Sequence, residues 1–299
     1  METKKKKIGF ILNPYAGIGG KAGLKGSDNY KKIEKLLLEG CERKAPKRAE
    51  SCMSKIADLT ASLVAGDKGS VGEKNFSILS APGDMGEALL KKLKIPCDVV
   101  LCPKADTSSA EDTKLCAQIM KEQGVDLLVF CGGDGTARDI CEAVGTDVTV
   151  LGIPAGVKMY SACYACNPYQ AGEMLAGWLE GKEMSYEMRE VLDIEEKDLD
   201  SRNVSPQLYG FLEVLSDGKH LQKAKELDLG SGESATIIAR AAILRMEKDW
   251  VYIIGPGGTT WKIKELLCEN DEQEDTGKKN VHGTVRGVDV IRNGKIILR

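Results

Sequence analysis

Histidine is nearly missing from this sequence: His220 and His282 are the only two among 299 residues. A His-rich metal site therefore has nothing to assemble from. The C-x-x-C pair Cys163-Tyr-Ala-Cys166 also lacks the second pair that zinc-site spacing requires. Helix packing is the expected role of those two thiols, ahead of redox or metal chemistry. The ten cysteines are scattered rather than dense, as reduced thiols in a cytoplasmic protein would be. Excess positive charge is missing as well. A net charge of −3 and a pI near 5.7 leave no global footprint for nucleic acid or an anionic membrane, so a polyanion has to bind at a local site. Long hydrophobic runs are absent too: Ile8–Leu12 is cut off by Asn13-Pro14, too short for a secretory leader's core or a membrane span. Aromatic residues stop at 5%, and no apolar membrane-binding helix is evident.

What is present is an ordinary globular balance, 42% hydrophobic and 29% charged, able to bury a substantial core. The length exceeds what one core usually serves, so two domains are expected. Short apolar runs alternate with helical patterns through the first two thirds, the signature of an α/β fold with a mostly parallel sheet. Strands are predicted at Ile8–Leu12, Phe76–Ser80, Val99–Cys102, Leu127–Cys131 and Val148–Ile153. A helix is predicted over Glu111–Gln123, capped by Ser108 with Glu111 or by Ser109 with Asp112 and stopped by Gly124. Glu42 to Lys74, basic at first and then Gly/Ser-rich, reads as a surface helix and a mobile connection with no chemistry of its own. A helix over Asn167–Glu180 closes a first domain, 1–182. From Met184 the pattern changes, and strands at Tyr186–Ile194 and Gln207–Leu215 with a helix at Ser234–Glu247 predict a second, β-rich domain, 183–299. Asn293-Gly294 between two short apolar runs suits a type I′ hairpin.

The strongest chemical signal is Leu127-Leu-Val-Phe-Cys-Gly-Gly-Asp-Gly-Thr136, an apolar strand running into three glycines, an aspartate and a threonine, with a helix expected from Ala137. Glycines let backbone N–H groups approach a phosphate, and a following helix N-terminus adds a positive dipole. Gly132, Gly133, Gly135 and Thr136 are thus the candidate cradle. Asp134 is the candidate catalytic residue, able to orient a hydroxyl nucleophile or help hold Mg²⁺. The bland alternative is a tight strand-to-helix turn with an aspartate cap. Three further turns share the character. Asn13-Pro-Tyr-Ala-Gly-Ile-Gly-Gly20 offers Asn13, Gly17, Gly19 and Gly20, with Lys21 and Lys25 nearby, and reads equally as an ordinary βα loop. Gly152-Ile-Pro-Ala-Gly-Val-Lys158 offers Pro154, Gly156 and Lys158, the last also readable as a solvated lysine. Gly255-Pro-Gly-Gly-Thr-Thr260 offers Gly255, Gly257, Gly258, Thr259 and Thr260 to a nucleotide's phosphate or ribose, leading into a helix Trp261–Leu267.

In this order the motifs Asn13-Pro-x-Ala-Gly17, Gly132-Gly-Asp-Gly-Thr-Ala-Arg-Asp139, Gly152-Ile-Pro-Ala-Gly-Val-Lys-Met159 and Gly255-Pro-Gly-x-Thr-Thr260 resemble those of the predicted ATP-NAD kinases related to acetoin-catabolism protein X. Lys25-Gly26, Ala81 to Gly86, Asp193-Ile194 and Gly287-Val-Asp289 extend the likeness over essentially the whole chain. The resemblance implies an N-terminal Rossmann-like domain plus a β-rich α+β domain, a fold distantly shared with diacylglycerol and sphingoid lipid kinases. It implies ATP or another phosphoryl donor, Mg²⁺ carried in on the nucleotide, and NAD as the substrate phosphorylated on its adenosine-ribose 2′-hydroxyl to give NADP. Its partners are small-molecule nucleotides, with neither nucleic acid nor membrane, and a homodimer is compatible with it. Tyr160, Gly258 and Trp261 stand where the resembled proteins commonly carry histidine, serine and arginine, and those proteins continue beyond a residue like Arg299, so the second domain is expected to lack a final segment. These departures keep two alternatives open: a nucleotide-binding protein of the same fold without turnover, and a kinase of another alcohol, lipid acceptors included.

Overall fold

A computed structural model describes residues 5–18, 35, 37–64, 76–101, 108–156, 159–193, 207–222, 233–255, 258–271 and 288–298. Two compact units divide the chain, Met1–Lys225 and Glu226–Arg299.

The first unit is built on a seven-stranded sheet of β1 (Lys6–Leu12), β2 (Phe76–Ser80), β3 (Asp98–Val99), β4 (Leu127–Gly132), β5 (Val150–Pro154), β6 (Ser185–Asp193) and β7 (Gln207–Ser216), in the order β3-β2-β1-β4-β5-β7-β6. All neighbours are parallel except the antiparallel edge pair β6–β7. Every residue of β4 and β5 is buried, as apolar runs must be when helices cover both faces of a parallel sheet. The change of pattern near residue 183 marks a switch from helix to antiparallel ribbon within this unit. β6 and β7, expected from the sequence in a second β-rich domain, extend the first sheet instead, because β7 pairs with β5 at Val214 and Val150. Local alternation cannot tell which sheet a strand joins.

The unit's α-helices include α1 (Lys44–Val64), α2 (Glu87–Lys92), α3 (Ala110–Glu122), α4 (Asp134–Val144) and α5 (Pro168–Leu179). α1 is the helix expected at the surface, with Lys47, Ser51 and Asp58 exposed, and its other face is buried. Ala45, Ala49, Cys52, Met53 and Ile56 are fully buried at i, i+4, i+7, i+8 and i+11, so one whole face is core. The connection that follows, 65–75, lies outside the described residues. α3 starts at the predicted capping box: Ser109 Oγ accepts from the Asp112 N–H at 3.2 Å while Asp112 accepts from the Ser109 N–H at 2.8 Å. α5 is capped by Asn167, which accepts from the Gln170 N–H at 2.9 Å, with Pro168 in its first turn.

The second unit holds α6 (Glu233–Leu244), β8 (Val251–Ile254), α7 (Gly258–Asp271), β9 (Asp289–Arg292) and β10 (Lys295–Leu298), with sheet order β10-β9-β8, all antiparallel. Asn293 and Gly294 both have positive φ, 51° and 75°, as the hairpin prediction requires. Its core is small, centred on Ala239, Ile263, Leu267 and Ile291, and contains a buried ion pair, Lys264 Nζ to Asp289 Oδ2 at 2.7 Å. Among the described residues no helix is long and apolar enough to cross a membrane.

Candidate phosphate and nucleotide site

From β1 the chain builds outward to β2 and β3, then crosses back to β4 on the other side of β1. The connections leaving the carboxyl ends of β1 and β4 run opposite ways, and the crevice between them is where open α/β sheets bind ligands. Two of the sequence-predicted turns lie there, and hydrogen bonds tie them together. Asn13 Nδ2 donates to Thr136 Oγ1 at 3.0 Å, the Asn13 N–H bonds the Cys131 carbonyl at 2.9 Å, and Asn13 Oδ1 accepts from the Tyr15 N–H at 3.1 Å. The turn after β5 joins them, since the Ala155 N–H donates to the Gly132 carbonyl at 2.9 Å. Gly17 has φ +76°, and a Cβ on it would overlap the Ala155 carbonyl oxygen, so glycine is required where the first and third turns touch. A Cβ on Gly132 would likewise overlap the Thr136 side chain, whereas one on Gly133 would meet none of the described residues within 4 Å. The face presented by Gly133 is open.

α4 begins at Asp134, three residues before the predicted Ala137, because the extended Gly133 already acts as N-cap and its carbonyl accepts from the Ala137 N–H at 2.9 Å. The first-turn N–H groups of Asp134, Gly135 and Thr136 have no earlier helical carbonyl to bond. Asp134 does not cap its own helix. Its Oδ1 accepts from the Ser161 N–H at 2.9 Å and its Oδ2 from the Tyr160 N–H at 2.9 Å, fastening α4 to the segment after β5. The carboxylate is 5% exposed. Burial pushes its pKa up, and hydrogen bonds from Ser161 and Tyr160 oppose that shift. Burial, with the charge of Asp134, also raises the Tyr160 phenol.

A second layer holds this arrangement. The buried Tyr164 donates its hydroxyl to the Gly133 carbonyl at 2.6 Å and meets the Phe130 ring edge-on at 5.4 Å. Ser161 Oγ donates to the Leu192 carbonyl at 2.9 Å and accepts the Leu192 N–H at 3.1 Å. The next residue, Asp193, pairs with Arg138 of α4 at 3.2 Å. Arg48 Nη1 donates to the carbonyls of Pro154 at 2.9 Å and Gly156 at 3.2 Å. Arg48, Ser161 and Tyr164 belong to none of the glycine-turn motifs. The polar residues between the β5 turn and the Asn167 cap were the available sign for the last two. Nothing local marks Arg48, whose partners lie 106 and 108 residues away.

The glycine turns fit a phosphate chain: an open face at Gly133, a helix N-terminus and unbonded first-turn N–H groups. Among the described residues no three His, Cys, Asp or Glu side chains cluster as a metal-holding group, and each Asp134 oxygen accepts a backbone N–H. Of the other predicted residues, Gly19, Gly20, Lys21, Lys25, Lys158 and Gly257 lie outside the described residues. Gly255, Gly258, Thr259 and Thr260 belong to the second unit, where the helix starts at Gly258 rather than Trp261, and Thr259 is exposed. Cys163 and Cys166 flank the bridge residues Tyr164 and Ala165 before α5, not on a helix; Cys163 is buried and Cys166 exposed, both as free thiols.

A model of the ATP-NAD kinase N-terminal domain family matches residues 8–183. Two crystal structures from Bacillus anthracis str. Sterne are similar, one described as a diacylglycerol kinase and the other as a candidate for one. Each is 15% identical with a TM-score of 0.28, over 62% of this chain and 44% of its own. The chain thus spans less than half the length of those structures. No curated protein matches it.

Proposed function

Because this chain belongs to the ATP-NAD kinase N-terminal domain family, we propose that it is a phosphotransferase moving the γ-phosphoryl group of ATP, or of a related donor, to the adenosine-ribose 2′-hydroxyl of NAD. The observation that carries this reading is the meeting of three glycine turns at the β1–β4 crevice, with the Asp134 carboxylate buried at the head of α4. The phosphate chain lies over Gly133 and takes the N–H groups of Gly135 and Thr136. Magnesium, arriving on the nucleotide, would supply countercharge for the phosphates. Transfer forms a bond from the acceptor oxygen to γ-phosphorus, breaks the bond from phosphorus to the bridging oxygen of the β-phosphate, and releases the hydroxyl proton. Asp134 orients that hydroxyl, and its raised pKa makes it a better proton acceptor than an exposed aspartate.

The test is NADP formation by the purified chain with Mg²⁺, ATP and NAD. The wild type is expected to turn over, and Asp134→Asn to lose about a hundredfold or more in kcat. A folded wild type that makes no NADP would remove NAD as acceptor, and full activity of the variant would remove Asp134 from the chemistry. One observation favours a second reading: the two backbone bonds on Asp134 also suit a structural strut in a nucleotide-binding protein without turnover. Nucleotide binding with no phosphoryl transfer to any alcohol would select it.

A further inference from the structure

We propose that Arg48, near the start of α1, is a phosphate-contacting residue of the glycine-turn site. The inference deepens the reading above, on which it rests for the identity of the ligand but not for the binding of a polyphosphate.

Arg48 is half-buried, and the only hydrogen-bond acceptors it uses among the described residues are the Pro154 and Gly156 carbonyls, at 2.9 and 3.2 Å from Nη1. Carbonyls carry no formal charge, so these bonds orient the guanidinium without neutralising it. Its neighbours on the chain differ. Arg43 pairs with Asp84 at 3.0 Å and Lys47 with Glu42 at 2.7 Å. Among the described residues no carboxylate pairs with Arg48. A cation partly withdrawn from water and left without a counter-ion is costly unless an anion completes it. The place is the right one. Ala155, between the two bonded carbonyls, donates to the Gly132 carbonyl and abuts Gly17, so Arg48 grips the third turn where it meets the other two. Burial pushes the thiol of Cys131, the residue before Gly132, up to about 12, and the nearby Arg48 charge opposes that shift. With Nη1 anchored, the plane of the guanidinium is set, and its remaining N–H groups can engage phosphate oxygens in the forked manner that arginine favours.

A purely structural staple would also bond two carbonyls, so the test has to read charge. Calorimetric titration of the full chain with inorganic tripolyphosphate, at two ionic strengths, is expected to show binding that Arg48→Gln weakens about tenfold or more. The variant should also show a shallower dependence on salt. Arg48→Lys, which keeps the charge and loses the fork, is expected to recover part of the affinity and most of the salt dependence. Should the glutamine variant fail to fold, the lysine variant decides the matter, a severalfold loss being expected. Unchanged tripolyphosphate affinity in a folded variant, a loss with the wild-type salt dependence, or no tripolyphosphate binding by the wild type would each overturn the proposal. Tripolyphosphate binding that depends on Arg48, in a chain that forms no NADP, would support Arg48 and sink the NAD kinase reading alone.

Discussion

Asp134 shows how one residue can serve the fold and the chemistry together. Two N–H bonds from Tyr160 and Ser161 hold it, yet burial still raises its pKa, so ionising the carboxyl there is harder than in an exposed aspartate. The folded state binds the Asp134 proton more tightly than the unfolded chain does. Its contribution to stability is therefore present at low pH and is lost as pH rises through the folded pKa. Asp134→Asn does not titrate and serves as the reference. Thermal unfolding between about pH 4 and about pH 7.5 is expected to show the wild type losing stability relative to the variant as pH increases. A difference that stays constant would mean the carboxyl titrates as an ordinary aspartate.

The strand-turn-helix element β4–α4 gives its neighbouring glycines opposite duties. Gly132 faces its own helix, where a Cβ would overlap Cβ, Cγ2 and Oγ1 of Thr136, so the backbone itself would have to shift. Gly133 is extended, at φ −113°, and faces open space. Gly132→Ala should therefore destabilise the protein by about 1–3 kcal/mol, measured by urea unfolding. Gly133→Val should stay folded, at a cost of about 1 kcal/mol for the poorer N-cap, while weakening ATP binding about tenfold or more, because the isopropyl group fills the face reserved for phosphate. The reverse pattern, a stable Gly132 variant with a binding defect, would place the phosphate on the other side of the turn.

At the scale of the whole molecule, the two units differ in how much core they own. The first buries apolar residues from six of its seven strands and from its helices, whereas the second, among the described residues, rests on four buried apolar residues and the Lys264–Asp289 pair. Both side chains of that pair are almost fully buried, so removing the cation alone leaves an uncompensated charge inside a small core. Lys264→Met is expected to cost the second unit about 3–5 kcal/mol, and Lys264→Met with Asp289→Leu to recover most of it. Hydrogen exchange reads this locally: amides of β9 and β10 should lose protection in the single variant while those of β4 keep theirs. Equal loss in β4 would mean that the two units unfold as one.

Local patterns in the sequence determined a great deal. Apolar runs set β1, β2, β4 and β5 to within two residues at each end; Ser109 with Asp112, Asn167 and Gly124 set where helices start or stop; Asn293-Gly294 set a hairpin. Each is a property of a few adjacent residues, legible because backbone sterics and capping act over one turn. The glycine turns were legible for the same reason, and so was Asp134 as a residue of interest. What Asp134 touches was not, since its partners stand 26 and 27 residues away. Nor was the grip of Asn13 on Thr136 across 123 residues, the docking of α1 that brings Arg48 to the β5 turn, or the addition of β6 and β7 to the first sheet. Those depend on which surfaces pack together, and packing is decided by shape and burial summed over elements far apart in the chain. Local periodicity says which face of a helix or strand is apolar; only the assembled sheet decides what that face meets.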